Sequence, residues 1–208
     1  MDKKSLVARW NEDRLHEVNR LLAAVTGKHN LHQQDRAFPA SLYGLTEAGR
    51  ADFQGVTLTE TIQYLSVQDA DLSYARFEDS ASLNTSTFTN CCFDGVKLDR
   101  RYVTHTFSRC SFRGAKLNHA RISKEFTDCD FTGSNLSKAI ASDVSFTRCR
   151  FEGANFRGAI LTYCRFEDCS FEGAVFQDGS LAGSRFVGEP GLLPVWGNTI
   201  VDNVKIQE

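Results

Sequence analysis

The residues of this 208-residue chain that could do chemistry are seven cysteines, one close pair of histidines, a scatter of carboxylates and a dense run of cations. Cys91, Cys110, Cys129, Cys149 and Cys169 recur at intervals of 19 or 20 residues. Like side chains at that interval meet only if the chain returns to the same place once per interval. They then form a straight row with a spacing of about one strand separation, about 4.8 Å. Tetrahedral zinc needs four ligands converging on one point, which a row does not supply. A disulfide needs Cβ atoms about 3.5–4.5 Å apart and a twisted torsion, unlike parallel in-register side chains. What remains is free cysteine as a small buried apolar residue in a reducing compartment. Cys92 faces the other way, outward, and is the candidate reactive thiol.

His29 and His32 lie three apart in aperiodic sequence without a third ligand, so no metal site is assigned to them. No glycine-rich phosphate loop and no strained serine elbow occurs. Asp79, Asp94, Asp128 and Asp168 fall on outer positions, in water and outside any cleft that could shift their pKa values. The chain is therefore expected to be no enzyme, with no catalytic residue, metal, cofactor or small-molecule substrate. The cations are the informative set. Residues 96–124 hold Lys97, Arg100, Arg101, Arg109, Arg113, Lys116, Arg121 and Lys124 against the single acid Asp99. Residues 60–95 and 125–208 each carry a net −5, so a basic band lies between two acidic regions.

The elements that position these residues follow from composition and period. With 41% hydrophobic and 24% charged residues and a net charge of −2, the chain has the composition of a soluble globular protein. No apolar run approaches about 18 residues, and Met1-Asp2-Lys3-Lys4 opens a mixed polar stretch, so a cytoplasmic protein without a membrane segment is expected. From residue 51 onward a large apolar residue recurs about every fifth position, and 15 of the 16 phenylalanines fall on that series. Five matches neither the helical 3.6 nor the strand period of 2, and is the step of a chain that turns one corner per unit. Within a unit, the centre and the small residue two before it share the inner face of a short extended segment, as in Ala154-Asn155-Phe156. The other three positions are polar or glycine and form the outside and the turn. Four such corners close a coil of about 20 residues that stacks on the next at about 4.8 Å.

These units resemble the pentapeptide repeat proteins, whose motif runs Ala or Cys, Asp or Asn, Leu or Phe, then two loose positions. The resemblance covers about residues 51–188 and implies an all-β solenoid, a right-handed quadrilateral parallel β-helix of about seven coils. Folded this way, Phe88, Phe107, Phe126, Phe146 and Phe166 form one core column, and Phe93, Phe112, Phe131, Phe151 and Phe171 the next. Gly95, Gly114, Gly133, Gly153 and Gly173 then mark one repeated corner that requires positive φ. Two four-residue steps, 103→107 and 122→126, put His105 and Lys124 at inward sites, which implies a bulge or a local shift of register.

A solenoid needs covered ends. Residues 5–25 read as one amphipathic helix with Leu15, Val18, Leu22 and Val25 on a stripe that Leu6 and Trp10 extend. Residues 1–50 thus form an N-terminal cap and connector, with Leu31, Phe38, Leu42, Tyr43 and Leu45 pinning the connector over the first coil. Residues 189–208 form a C-terminal cap or tail in which Leu192, Leu193, Pro194, Val195 and Trp196 cover the last coil. The chain is expected as a monomer or as a homodimer through that end.

The functional expectation is a scaffold or protein-interaction module, with an unidentified acidic protein docking on the band formed by Lys97, Arg100, Arg101, Lys116, His119, Arg121, Lys124 and Lys138. The resemblance implies an alternative, a DNA-mimicking binder of type II topoisomerases such as gyrase that gives quinolone resistance or self-protection. That role calls for a broadly anionic rod, whereas residues 51–208 net only −4 with the basic band at their middle. Direct nucleic-acid binding is not expected, because the cations lack interleaved exposed aromatics.

Overall fold

The computed structural model describes residues 2–26, 38, 41–78, 81–188 and 196–207. Its repeats fold as the expected β-helix of about seven coils. Within the stack every strand pairing is parallel and joins residues 19 to 21 apart, as for Phe88, Phe107, Phe126, Phe146, Phe166 and Phe186. The five ring pairs of that column stack at centroid distances of 4.7–5.1 Å and interplanar angles of 5–18°. Phe93, Phe112, Phe131, Phe151 and Phe171 stack likewise beside it, and the two columns meet edge to face. Phenylalanine suits these columns because rung spacing matches offset ring stacking and corner packing supplies the edge contacts.

The corner after the second column is a hydrogen-bonded turn. The Val96 N–H donates to the Phe93 carbonyl at 3.1 Å, and Gly95 sits at φ 63° in the left-handed region where glycine carries no Cβ penalty. The same turn recurs at each of the expected glycines. Four outer faces result. The first carries Asp71, Cys92, Ser111, Asp130, Arg150 and Ser170 at its centre; the second carries Arg76, Lys97, Lys116, Asn135, Asn155 and Val175. The third carries Tyr102, Arg121, Ile140, Ile160, Ser180 and Ile200, and the fourth Thr87, Thr106, Glu125, Ser145, Arg165, Arg185 and Lys205.

The N-terminal cap differs from the single helix expected. It consists of α1 (Lys3–Ala8) and α2 (Glu12–Thr26). The break lies where the Asn11 carboxamide accepts the Arg14 N–H at 3.0 Å, a local bond that starts a new helix instead of continuing the old one. Val18 and Leu22 are fully buried against the first coil, and Leu6 and Trp10 nearly so. Arg9 clasps the Asp52 carboxylate at 2.8 and 2.5 Å, and the Trp10 indole donates to the Gln54 carbonyl at 2.8 Å. Gly55 makes the close approach feasible, since a Cβ there would lie 2.7 Å from the Leu6 carbonyl.

In the connector, Phe38 and Tyr43 pack on Phe53 and Trp10 as expected, but Leu42 and Leu45 are exposed. Residues 44–46 turn outward to make an antiparallel bridge from Leu45 to Ala51, which leaves those side chains off the coil. Leu31, His29, His32 and residues 192–195 lie outside the described residues, as does Asp79. At the far end, Trp196 packs edge-on against Phe186 and Phe176. Lys205–Gln207 pairs with Arg185–Val187, so the tail adds a further partial coil to the stack. Among the described residues no helix is long and apolar enough to cross a membrane.

Candidate interaction surface

Stacked coils turn sequence repeats into ladders, and two charged ladders behave oppositely. At the corner after the first column, Arg109, Asp128, Arg148 and Asp168 alternate in sign, all exposed and all in the left-handed region. Arg148 donates to both oxygens of Asp128 at 2.7 and 3.0 Å. That bond holds the Asp128 carboxyl below its ordinary range and raises Arg148. The ladder neutralises itself, as opposite charges directly across strands do.

On the second face the chain does the reverse. Arg76, Lys97 and Lys116 stand directly opposite one another on three successive coils. Lys3 of α1 projects toward them; partial burial and then the charges of Lys97, Lys116 and Arg76 lower its pKa. Along the neighbouring corner run Arg100, His119 and Lys138, exposed at φ 60, 58 and 55°. Among the described residues none of Lys3, Arg76, Lys97, Arg100, Lys116, His119 and Lys138 enters an ion pair. Like charges directly opposite are destabilising, so this ladder costs the fold stability.

Of the eight expected band residues, the structure brings together Lys97, Arg100, Lys116, His119 and Lys138 and separates three. Arg101 turns back on the stack, donating to the Phe77 carbonyl at 2.8 Å. Arg121 stands on the third face, with its guanidinium 5.7 Å from the Tyr102 ring centroid. Lys124 sits at the corner between third and fourth faces, turned out at φ 84°. Arg76 and Lys3 join the surface without having been assigned to it. Arg76 was legible from its 21-residue offset to Lys97; Lys3 was not, because its place depends on how the cap docks.

The buried polar groups have their own geometry. All seven cysteines are free and buried. Cys92 is the correction. It faces outward from its coil between Asp71 and Ser111, yet it is buried, its sulfur lies 3.1 Å from the Ser73 hydroxyl, and burial pushes its pKa up to about 11. It is therefore no reactive thiol. Asp94 also departs from expectation. The cap overhangs the first face and leaves an open groove of about 630 Å³ lined by Asp52, Asp71, Asp94, Arg9, Tyr74 and Cys92, among others. Asp52 is paired to Arg9, Asp71 accepts from Ser73 and Gln54, and Asp94 accepts from the Ser111 hydroxyl and the Arg113 N–H. No group of three or more metal-binding side chains converges among the described residues.

Residues 123–189 match the sequence model of the pentapeptide repeat region. No match was found among curated proteins. Among solved structures, the fold is similar to a trypsin-treated variant of QnrB1, a plasmid-mediated fluoroquinolone resistance protein. The TM-score is 0.57 at 13% identity, over 76% of this chain and 79% of that one. HetL of Nostoc sp. strain PCC 7120, a pentapeptide repeat protein involved in heterocyst differentiation regulation, aligns at 17% identity and a TM-score of 0.24, over 76% and 90% of the two chains. At 13% identity the likeness to QnrB1 concerns the fold. By the five-residue motif, the register of its coils and the shape they build, the chain has the fold of the pentapeptide repeat proteins, and residues 123–189 carry the family's repeat.

Proposed function

We propose that the protein is a non-enzymatic interaction module that docks an acidic protein partner on its second face. The observation that carries this reading is the Arg76–Lys97–Lys116 ladder with Lys3 beside it, three like charges stacked rung on rung with no described carboxylate paired to them. The same chain alternates Arg109, Asp128, Arg148 and Asp168 at the corner on the far side of the first face, so self-neutralisation was available and is absent from the second face. An unneutralised cationic surface speeds encounter with an acidic partner and fixes its register. The flat second face and the corner of Arg100, His119 and Lys138 give that partner a surface with contacts every rung, about 4.8 Å apart.

The test is capture from a lysate of the source cells by the wild type and by a Lys97→Glu, Arg100→Glu, Lys116→Glu variant. Lys124→Glu, on a different corner, serves as the charge control. A protein retained by wild type and control but lost by the triple variant supports the reading. Equal retention by all three overturns it, and recovery of a type II topoisomerase in that pattern would favour the DNA-mimic alternative.

A further inference from the structure

Cys91, Cys110, Cys129, Cys149 and Cys169 occupy one inward column, one per coil and all buried. The bridges from Cys92 through Ser111, Asp130 and Arg150 to Ser170 hold the residues beside them in parallel register. Each sulfhydryl donates to two backbone carbonyls at 3.3–3.6 Å. The Cys149 N–H also donates to the Cys169 sulfur on the next coil at 3.4 Å. The other two cysteines have no thiol neighbour: Cys92 is flanked by Asp71 and Ser111, and Cys164 stands in another column, opposite Ser184.

We propose that this row is a binding site for soft, two-coordinate divalent metal ions of the mercuric class, each held linearly between the sulfurs of successive coils. Three features of the row select that chemistry. The first is length. At a metal–thiolate bond of about 2.3 Å, the value for zinc, a linear sulfur–metal–sulfur unit spans about 4.6 Å. The rung separation is about 4.8 Å. The second is direction, since parallel side chains project across the stack and an ion on the row meets each Cβ–Sγ bond near the right angle that divalent sulfur favours. The same straight row that denies zinc its tetrahedron supplies a linear pair.

The third feature is charge. Binding removes one proton from each of two thiols and releases both to solvent, so a divalent ion leaves a neutral bis-thiolate. A monovalent soft ion would leave one uncompensated negative charge in an apolar core, which is costly. Five thiols in a row make two separate adjacent pairs, so the chain holds two ions.

The experiment is titration of the reduced full-length protein with mercuric chloride in the presence of excess glutathione, which strips singly bound ions. Native mass spectrometry counts the ions, and a separate pH-stat titration without glutathione, whose own thiols would release the same protons on binding the metal, counts the protons. A parallel sample is refolded from urea with the ion present, because the row lies inside the core. Two ions and four released protons are expected for wild type, Cys92→Ala and Cys164→Ala. Cys129→Ala still leaves two adjacent pairs and should keep two ions; Cys110→Ala leaves one pair and should keep one. The Cys110→Ala, Cys149→Ala double variant leaves none and should bind no ion. Cys129→Ala and Cys110→Ala each remove one core thiol, so a difference between them reports adjacency and not folding, which circular dichroism checks. Uptake that follows the total number of thiols, equal uptake by those two variants, or no uptake by refolded wild type would overturn the proposal.

Discussion

His105 and Lys124 are register partners on adjacent coils, yet the imidazole is buried in the core and the ammonium stands in solvent. The inward column to which they belong runs Leu65, Ser86, His105, Val144, Cys164 and Ser184, and it skips Lys124. The short step from Ile122 to Phe126 is taken by a left-handed Lys124, whereas the step from Val103 to Phe107 is taken by a straight strand that carries His105 inward. The imidazole Nδ1 accepts the Ser86 N–H, and the ring packs edge-on against Phe88 and Phe107.

Burial lowers the His105 pKa to about 3, and its Nε2 has no partner among the described residues. The folded pKa lies below the unfolded value of about 6.5, so the folded state resists protonation. Stability from this residue is full above about pH 6.5 and is lost as the pH falls toward 3, at up to about 1.4 kcal/mol per pH unit. Urea melts at pH 7.5 and 5.0 should show wild type losing about 2 kcal/mol more than His105→Ser over that interval. Equal losses would disprove the assignment.

Phe131→Ala and Phe151→Ala each remove a mid-stack ring with stacked neighbours on both sides. Each should cost about 3–5 kcal/mol in urea melts, because a rigid stack cannot collapse into the cavity. Arg121→Glu, on an exposed face, should change stability by less than about 0.5 kcal/mol.

Gly55→Ala should detach the cap. The added methyl meets the Leu6 backbone at 2.7 Å, and φ is 74°. Gly114→Ala has open space at φ 60° and should cost only the conformational penalty of about 1–2 kcal/mol. Limited proteolysis near α1 and loss of buried Trp10 fluorescence should accompany the first substitution and not the second.

Lys97→Gln should stabilise the protein by about 0.2–1 kcal/mol by relieving repulsion from Arg76 and Lys116. The gain should shrink in high salt as screening weakens the repulsion. A destabilised variant would mean that Lys97 has a partner that offsets it.

The five-residue period made both phenylalanine columns, the cysteine row and the glycine corner legible, because each is repeated on every coil. What escaped was what occurs once. Asn11 divides the cap because one carboxamide finds one N–H, which periodicity does not register. The last coil escaped because its count, 186, 191, 196, 201, 206, passes through Gly191 between two prolines, which reads as an end. In the candidate surface, eight basic residues expected together are not eight residues on one face: Arg101, Arg121 and Lys124 are turned away from it.

The two ends of the stack are unlike. The first coil is locked by α1 and α2 through Val18, Leu22 and the Arg9–Asp52 pair, whereas the last ends in Lys205–Gln207 with Ile200, Val201 and Ile206 exposed. Under a force pulling the termini apart, the rod should peel from its C-terminal end one coil at a time. Each step would release about 20 residues, or about 65 Å of chain, and leave the coils beneath intact. The rod is mechanically polar: a partner held near the cap stays attached while the other end unwinds.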